Sequence, residues 1–330
     1  MNKKTLLIIF GTIISAALLI TVFSKLDWPA FFNAIKTINL TKIFGAGIVV
    51  MIVIALRSLR WNLVACLPLS EFKHFWQAAN IGYLGNIIYP ARAGEILKIV
   101  AINHFSPLTL GRSVSSAVLD RILDMIVIGI FTMLVLWIHG NKIDPNIGKG
   151  IVVIFALSII GLTMLIIFAD YLHKKVKALS INGKLQKLQE LVLHGIEGVQ
   201  TFRHTNNLIT VLLITVVIFL LDYFWMWTVI TAFGWNLPFE AGLTVGVFLL
   251  LSISIPSAPG YVGVYQVACV LALGLYNIDQ SLAVAYSIVL QLVSFTIMGV
   301  QGILVTIYCG FNLSQEHKTT IPESGKTTEN

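Results

Sequence analysis

Apolar runs of the length that crosses a lipid bilayer recur from one end of this chain to the other. They lie at about Thr5 to Phe23, Ser113 to Ile138, Ile151 to Ala169, Leu208 to Phe233 and Ser281 to Tyr308, with a shorter one at Ile43 to Leu56. Roughly 20 apolar residues span the hydrocarbon core as a helix. Backbone polar groups have no water to turn to in that environment, so each run has to satisfy them internally as a helix. Composition agrees. Of the 330 residues, 57% are hydrophobic and 11% charged, and the mean hydropathy is +0.88, whereas about a quarter of a soluble domain is charged. No polar stretch exceeds about 35 residues, short of the roughly 50 that a small domain needs, so a large soluble catalytic domain is excluded. The net charge of +7 comes from basic residues between the apolar runs. They read as topology signals and not as a nucleic-acid surface. Cys66, Cys269 and Cys309 are isolated and apolar in context, so neither a zinc site, a disulfide framework nor a bound cofactor is expected.

These signals predict an all-α polytopic bundle. The first run follows Lys3 and Lys4 and lacks a small-residue cleavage site, which makes it a retained helix with a cytoplasmic amino terminus. The second closes with Arg57, Arg60 and Trp61, read as anchors at the cytoplasmic headgroups. From Phe75 to Val100 the apolar character is interrupted by Asn80, Gly82, Gly85, Asn86, Pro90, Arg92, Gly94, Glu95 and Lys98. Such a segment is tolerated at membrane depth only when protein or a wet cavity surrounds it, so a re-entrant or broken helix is expected here. The stretch 170–207, rich in lysine, is placed in the cytoplasm. Leu185, Leu188, Leu191, Val192 and Ile196 within it fit an amphipathic helix on the inner leaflet or a solvated connector. Counting Ala241 to Ile255 and Val264 to Tyr276 as spans gives about eight crossings. They form one integral membrane domain over 1–310, followed by a disordered cytoplasmic tail over 311–330.

Charged residues inside apolar sequence are costly and need a reason. One group is Arg92, Glu95 and Lys98, spaced by three and therefore on one helical face. A second is Asp120, Arg121 and Asp124 in the next span. An Arg121 to Glu95 pair, with Arg92 facing Asp120 or Asp124, would offset much of the burial cost. Two readings stay open: an ion-pair lattice that joins two helices, or a site in which Arg92 stays free for an anionic headgroup. Asp222 stands alone in its span, as a satisfied buried acid or one that changes protonation. The segment Pro256 to Gly263 breaks an apolar helix with two prolines and two glycines. It is either a plain kink or a break where Gly260 and Gly263 let a phosphate approach backbone amides. Gly82-Tyr83-Leu84-Gly85 recurs as Gly260-Tyr261-Val262-Gly263, a faint sign of paired broken segments in two halves. GxSxG, HExxH and Walker A patterns are missing, and the seven histidines show no ligand spacing.

Four motifs together carry a resemblance: Arg57-x-x-Arg60-Trp61; Asn86-x-x-x-Pro90-x-Arg92-x-Gly94-Glu95-x-x-Lys98; Asp120-Arg121-x-x-Asp124; and Pro256-x-x-Pro259-Gly260-x-x-Gly263-Val264-Tyr265. In this order and context the chain resembles the lysylphosphatidylglycerol synthase transmembrane-region family, flippase-like integral membrane proteins, over about residues 5–310. The resemblance implies a membrane region that moves lipid across the bilayer, which in well-known members precedes a cytosolic lysyltransferase. No such transferase is expected here, because the sequence ends soon after its last apolar run. The family often has Glu where this sequence has Gln266, which speaks against a lysyl-lipid cargo if that Glu meets a cationic headgroup.

The sequence therefore predicts a multi-pass protein of the bacterial cytoplasmic membrane, both termini inside, that binds and translocates a phospholipid or lipid-linked sugar. The expected substrate-binding residues are Asn86, Arg92, Glu95, Lys98, Asp120, Arg121, Asp124, Pro256, Gly260, Tyr261 and Gly263, with no catalytic residue and no metal. An enzyme acting on a lipid headgroup, with Glu95 or Asp124 as base, is the alternative. A third reading is a membrane scaffold for a cytosolic transferase. A homo-oligomer is compatible with all three.

Overall fold

The structure is a computed structural model that describes residues 15–24, 26–89, 92–142, 164, 168–178, 189, 193, 196, 207–253 and 258–311. The described residues form helices α1 (Ser15–Phe23), α2 (Trp28–Lys36), α3 (Leu40–Val64), α4 (Phe72–Ile88), α5 (Gly94–Phe105), α6 (Leu110–His139), α7 (Ala169–Lys177), α8 (Leu208–Ala232), α9 (Phe239–Ile253), α10 (Val264–Gly274) and α11 (Gln280–Cys309). The chain is an all-α, multi-pass membrane protein.

Local sequence sets the helix ends. Side chains of Asp27, Asn39, Thr109 and Asp279 accept hydrogen bonds from backbone N–H groups in the first turns of α2, α3, α6 and α11, satisfying donors that a helix start leaves free. Gly310 closes α11 in the left-handed conformation, φ 61°, where a side chain would be strained.

Four helices, α3, α6, α8 and α11, are long and apolar enough to cross a membrane. A fifth crossing results if α1 and α2, bent by 93°, count as one broken span. The expected total of eight drew in part on α9 and α10, which are shorter apolar helices, and on runs that lie largely outside the described residues, at 5–14 and 151–163. Between α1 and α3 lies the short helix α2, with Trp28 and Phe32 exposed. Of the amphipathic segment at 185–196, Ile196 is described and buried; its other four apolar positions lie outside the described residues. Apolar side chains on the spans face outward, among them Phe44, Ile209, Leu292 and Ile307, as a lipid-facing surface requires.

Two pairs of short helices are set among these spans. In the first, α4 and α5 run antiparallel at very close range: a side chain at Gly85 would press on Leu97 and Gly94, one at Gly82 would meet Lys98 Cβ at 2.8 Å, and one at Gly94 would strike the carbonyl of Gly82. Small residues let the two backbones touch, as is common in membrane helix packing. The helix break expected over 75–100 falls between these two helices. The tip of the pair is Tyr89 to Ala93, of which Pro90 and Ala91 lie outside the described residues. In the second, α9 and α10 pack together, with a tip that includes 258–263. That tip rests on α4.

The sequence echo is not a structural equivalence. Gly82 to Gly85 lies inside α4, whereas Gly260 to Gly263 is a turn, with φ of 70° at Gly260 and 87° at Gly263.

Candidate functional site

Where the two tips approach the long helices, a cavity of about 250 Å³ opens. Its polar lining includes Arg57, Tyr83, Asn86, Arg92, Glu95, Arg121, Asp124 and Asp222, and its apolar lining includes Ile54, Phe219, Trp225, Leu249, Phe295 and Met298.

The polar lining is part of a continuous ionic network. Arg60, with a side chain 0% exposed, reaches Asp120 through Nη2 at 2.8 Å and Asp124 through Nη1 at 2.8 Å. Its Nη1 also donates to Thr215 at 3.4 Å. Arg57, one turn earlier on α3, lies 2.6 Å from Asp222 on α8 and 3.4 Å from Asp124 on α6. Trp225 Nε1 donates to the other Asp222 oxygen at 3.3 Å. Lys98 Nζ lies 3.3 Å from Asp120 and 4.1 Å from the centre of the Trp61 ring. Arg121 pairs with Glu95 on α5 and, at 3.3 Å, with Asp124 on its own helix. Four helices, α3, α5, α6 and α8, are thereby tied together through charges that would be prohibitive if single.

Most of this wiring follows from spacing. Arg57 and Arg60 share one face of α3, and Asp120 and Asp124 share one face of α6, so two arginines meet two aspartates across a single interface. The expected Arg121 to Glu95 pair is present. Two other expectations are corrected. Arg57, Arg60 and Trp61 are not headgroup anchors: α3 continues to Val64, which carries them inside the bundle, where Arg60 and Trp61 are fully buried. Arg92 does not face Asp120 or Asp124, whose partners are Arg57, Arg60, Lys98 and Arg121. It is exposed and lines the cavity together with Glu95 and Tyr261.

Asn86, Arg92, Glu95, Arg121, Asp124 and Tyr261 of the expected site line the cavity. Lys98 and Asp120 stand behind it, in the ion-pair layer. Pro256 lies outside the described residues. Gly260 and Gly263 do not open their backbones to the cavity. A side chain at Gly260 would meet the Phe295 ring at 3.0 Å, and one at Gly263 would meet the Ser15 carbonyl of α1 at 2.7 Å. Their part is to make the turn. The tip is also clamped: Gly263 N–H donates to Gln266 Oε1 at 2.7 Å, Gln266 Nε2 to Gln291 Oε1 at 2.8 Å, and Gln291 Nε2 to the Gly260 carbonyl at 2.7 Å. Gln266 is therefore a buried brace of the turn and does not line the cavity, so its replacement of Glu says nothing of the headgroup.

Sequence reasoning missed Arg57 and Asp222 as partners across the cavity, and Tyr83 and Trp225 in its wall. The available signal was charge at helical spacing inside an apolar run, hidden at Arg57 by ending that helix too early.

Arg92 and Tyr261, one on each tip, both hold a left-handed backbone with φ of 57°. For a residue with a side chain this costs roughly 1 to 2 kcal/mol, and such strain gathers at functional positions.

The family described as lysylphosphatidylglycerol synthase TM region matches residues 8–302 of the chain. The chain belongs to this family. A similar protein is a UPF0104 membrane protein of Methanothermobacter thermautotrophicus, 20% identical over 337 residues that cover 96% of this chain and 98% of that one. No solved structure matches. For this family member the four motifs thus fall on one cavity and the layer around it: Arg57 and Arg60 on α3, Arg92 and Glu95 at the first tip, Asp120 to Asp124 on α6, and the Pro-Gly turn at the second tip.

Proposed function

We propose that the protein binds the headgroup of a phospholipid or lipid-linked sugar in this cavity and carries it between the leaflets of the cytoplasmic membrane, with both termini and the basic stretch 170–207 on the cytoplasmic side. The observation that carries the reading is the cavity's mixed lining: ionic and hydrogen-bonding groups such as Arg57, Asn86, Arg92 and Arg121 together with aliphatic and aromatic groups such as Ile54, Phe219, Leu249 and Phe295. A lipid headgroup needs the first and its glycerol or prenyl region the second. Arg92 and Arg121 supply guanidinium groups suited to phosphate, and Asn86, Tyr83 and Tyr261 supply neutral polar contacts.

Transport is favoured over catalysis by the state of the acids. Asp124 contacts three cations, Arg57, Arg60 and Arg121, and Glu95 is held by Arg121. Both acids are thus already engaged as partners of the arginines that join the helices, the arrangement of a structural lattice. The test is leaflet exchange of a fluorescent phospholipid in proteoliposomes, read by quenching of the outer leaflet. Wild-type protein should exchange lipid, and Arg92→Ala should insert normally and lose the exchange. Undiminished exchange in that variant would remove Arg92 from the site.

A further inference from the structure

We infer that the site is selective for a headgroup carrying one net negative charge, a phosphodiester with no amine. The inference rests on the lipid-binding reading above and sharpens it. Among the described residues, the cavity and the layer behind it hold five cations, Arg57, Arg60, Arg92, Lys98 and Arg121. They hold four carboxylates, Glu95, Asp120, Asp124 and Asp222. The four carboxylates and the cations other than Arg92 are joined at ion-pair distance, so that set is internally neutral. Arg92 remains. It sits on the first tip, lines the cavity and is exposed, and beside it are the Tyr261 hydroxyl and an acid already paired with Arg121.

Arg92 is exposed and therefore solvated when the cavity is empty; a headgroup that covers it must replace that solvation, which an anion does and a zwitterion or cation does poorly. One phosphodiester brings the sum from +1 to zero. A phosphomonoester with two charges overshoots to −1, with its second charge facing Glu95 and Asp124. A zwitterion leaves +1 and places an ammonium beside arginines, and a lysylated headgroup adds a like charge. Discrimination therefore comes as much from repulsion of the wrong headgroups as from attraction of the right one.

This chemistry has two sources, a glycerophospholipid and a polyprenyl-phosphate sugar. The experiment offers both. Purified protein is equilibrated with mixed vesicles of phosphatidylglycerol, phosphatidylethanolamine, phosphatidic acid and a polyprenyl-phosphoryl hexose. The buffer is held at about pH 8, above the second phosphate ionisation near 6, and retained lipids are counted by native mass spectrometry. Wild type should retain one or both phosphodiesters at least about tenfold over the zwitterion and the phosphomonoester. Which phosphodiester prevails identifies the source.

Arg92→Gln changes an exposed side chain and brings the sum to zero, so it should erase the preference over phosphatidylethanolamine. Arg92→Lys keeps the charge and should keep the preference. Equal retention of all headgroups by wild type, or an unchanged preference in Arg92→Gln, overturns the inference. The transport reading fails separately: selective retention of a phosphodiester without leaflet exchange in proteoliposomes would leave the charge selectivity standing and remove translocation.

Discussion

Arg60→Met tests whether the ion-pair layer holds the bundle together. The arginine is wholly enclosed, and its guanidinium meets Asp120 and Asp124 each at 2.8 Å. Methionine fills similar space without charge, so the loss is electrostatic. Removing one partner of a buried ion pair costs about 3–5 kcal/mol, since the other charge stays behind. Here both acids keep some compensation: Asp120 retains Lys98 at 3.3 Å, and Asp124 retains Arg121 at 3.3 Å and Arg57 at 3.4 Å. The expected cost is therefore at the low end, about 3 kcal/mol. The assay is unfolding of the purified protein in a mild detergent, followed by tryptophan fluorescence, with Trp61 beside the mutated residue as reporter. Adding Asp120→Asn to Arg60→Met should recover part of the loss, and the double-mutant cycle should show a coupling of at least about 1 kcal/mol. Strict additivity, or a single variant as stable as the parent, would refute the view that these charges are structurally coupled.

Gly94→Ala should separate α4 from α5, because the new methyl group would strike the Gly82 carbonyl and the Asn86 side chain. A stability loss of about 1–3 kcal/mol is expected, and unfolding in detergent measures it. Gly47→Ala is the matched control: its methyl group would lie 3.6 Å from Ile297, an ordinary contact, and the melting curve should not move. Arg92→Gly should abolish lipid exchange without loss of stability, since glycine relieves the left-handed strain at φ 57°, worth roughly 1 to 2 kcal/mol, which offsets its own entropic cost. Gln291→Leu should leave the Gly260 carbonyl and the Gln266 amide unpaired, costing about 1–3 kcal/mol for each group. Faster proteolysis or cysteine labelling at the second tip would report it.

How much of this was legible without coordinates differs from element to element. The spans α6, α8 and α11 follow from sustained apolar length despite a few charges, because lipid forces such runs into helices. The interruption at 75–100 follows as well, since glycine, asparagine and charge at that density cannot face hydrocarbon. The Arg121 to Glu95 pair was readable from the need to neutralise each acid at helical spacing.

The destination of Arg57 and Arg60 was not readable. A cation near the end of an apolar run looks the same whether the helix stops there or continues, and only the packing of α3 on α6 and α8 decides it. The roles of Gly82 and Gly260 were equally hidden. Their sequence surroundings match, yet one lets two helix backbones touch and the other makes a turn, a difference set by which surface lies opposite. The sequence by itself determined an all-helical membrane protein with costly charges that demand partners, because solvent and backbone chemistry act locally along the chain. The tertiary structure alone decided which of these charges pair and that they gather around one cavity, because those outcomes depend on distances between helices far apart in sequence.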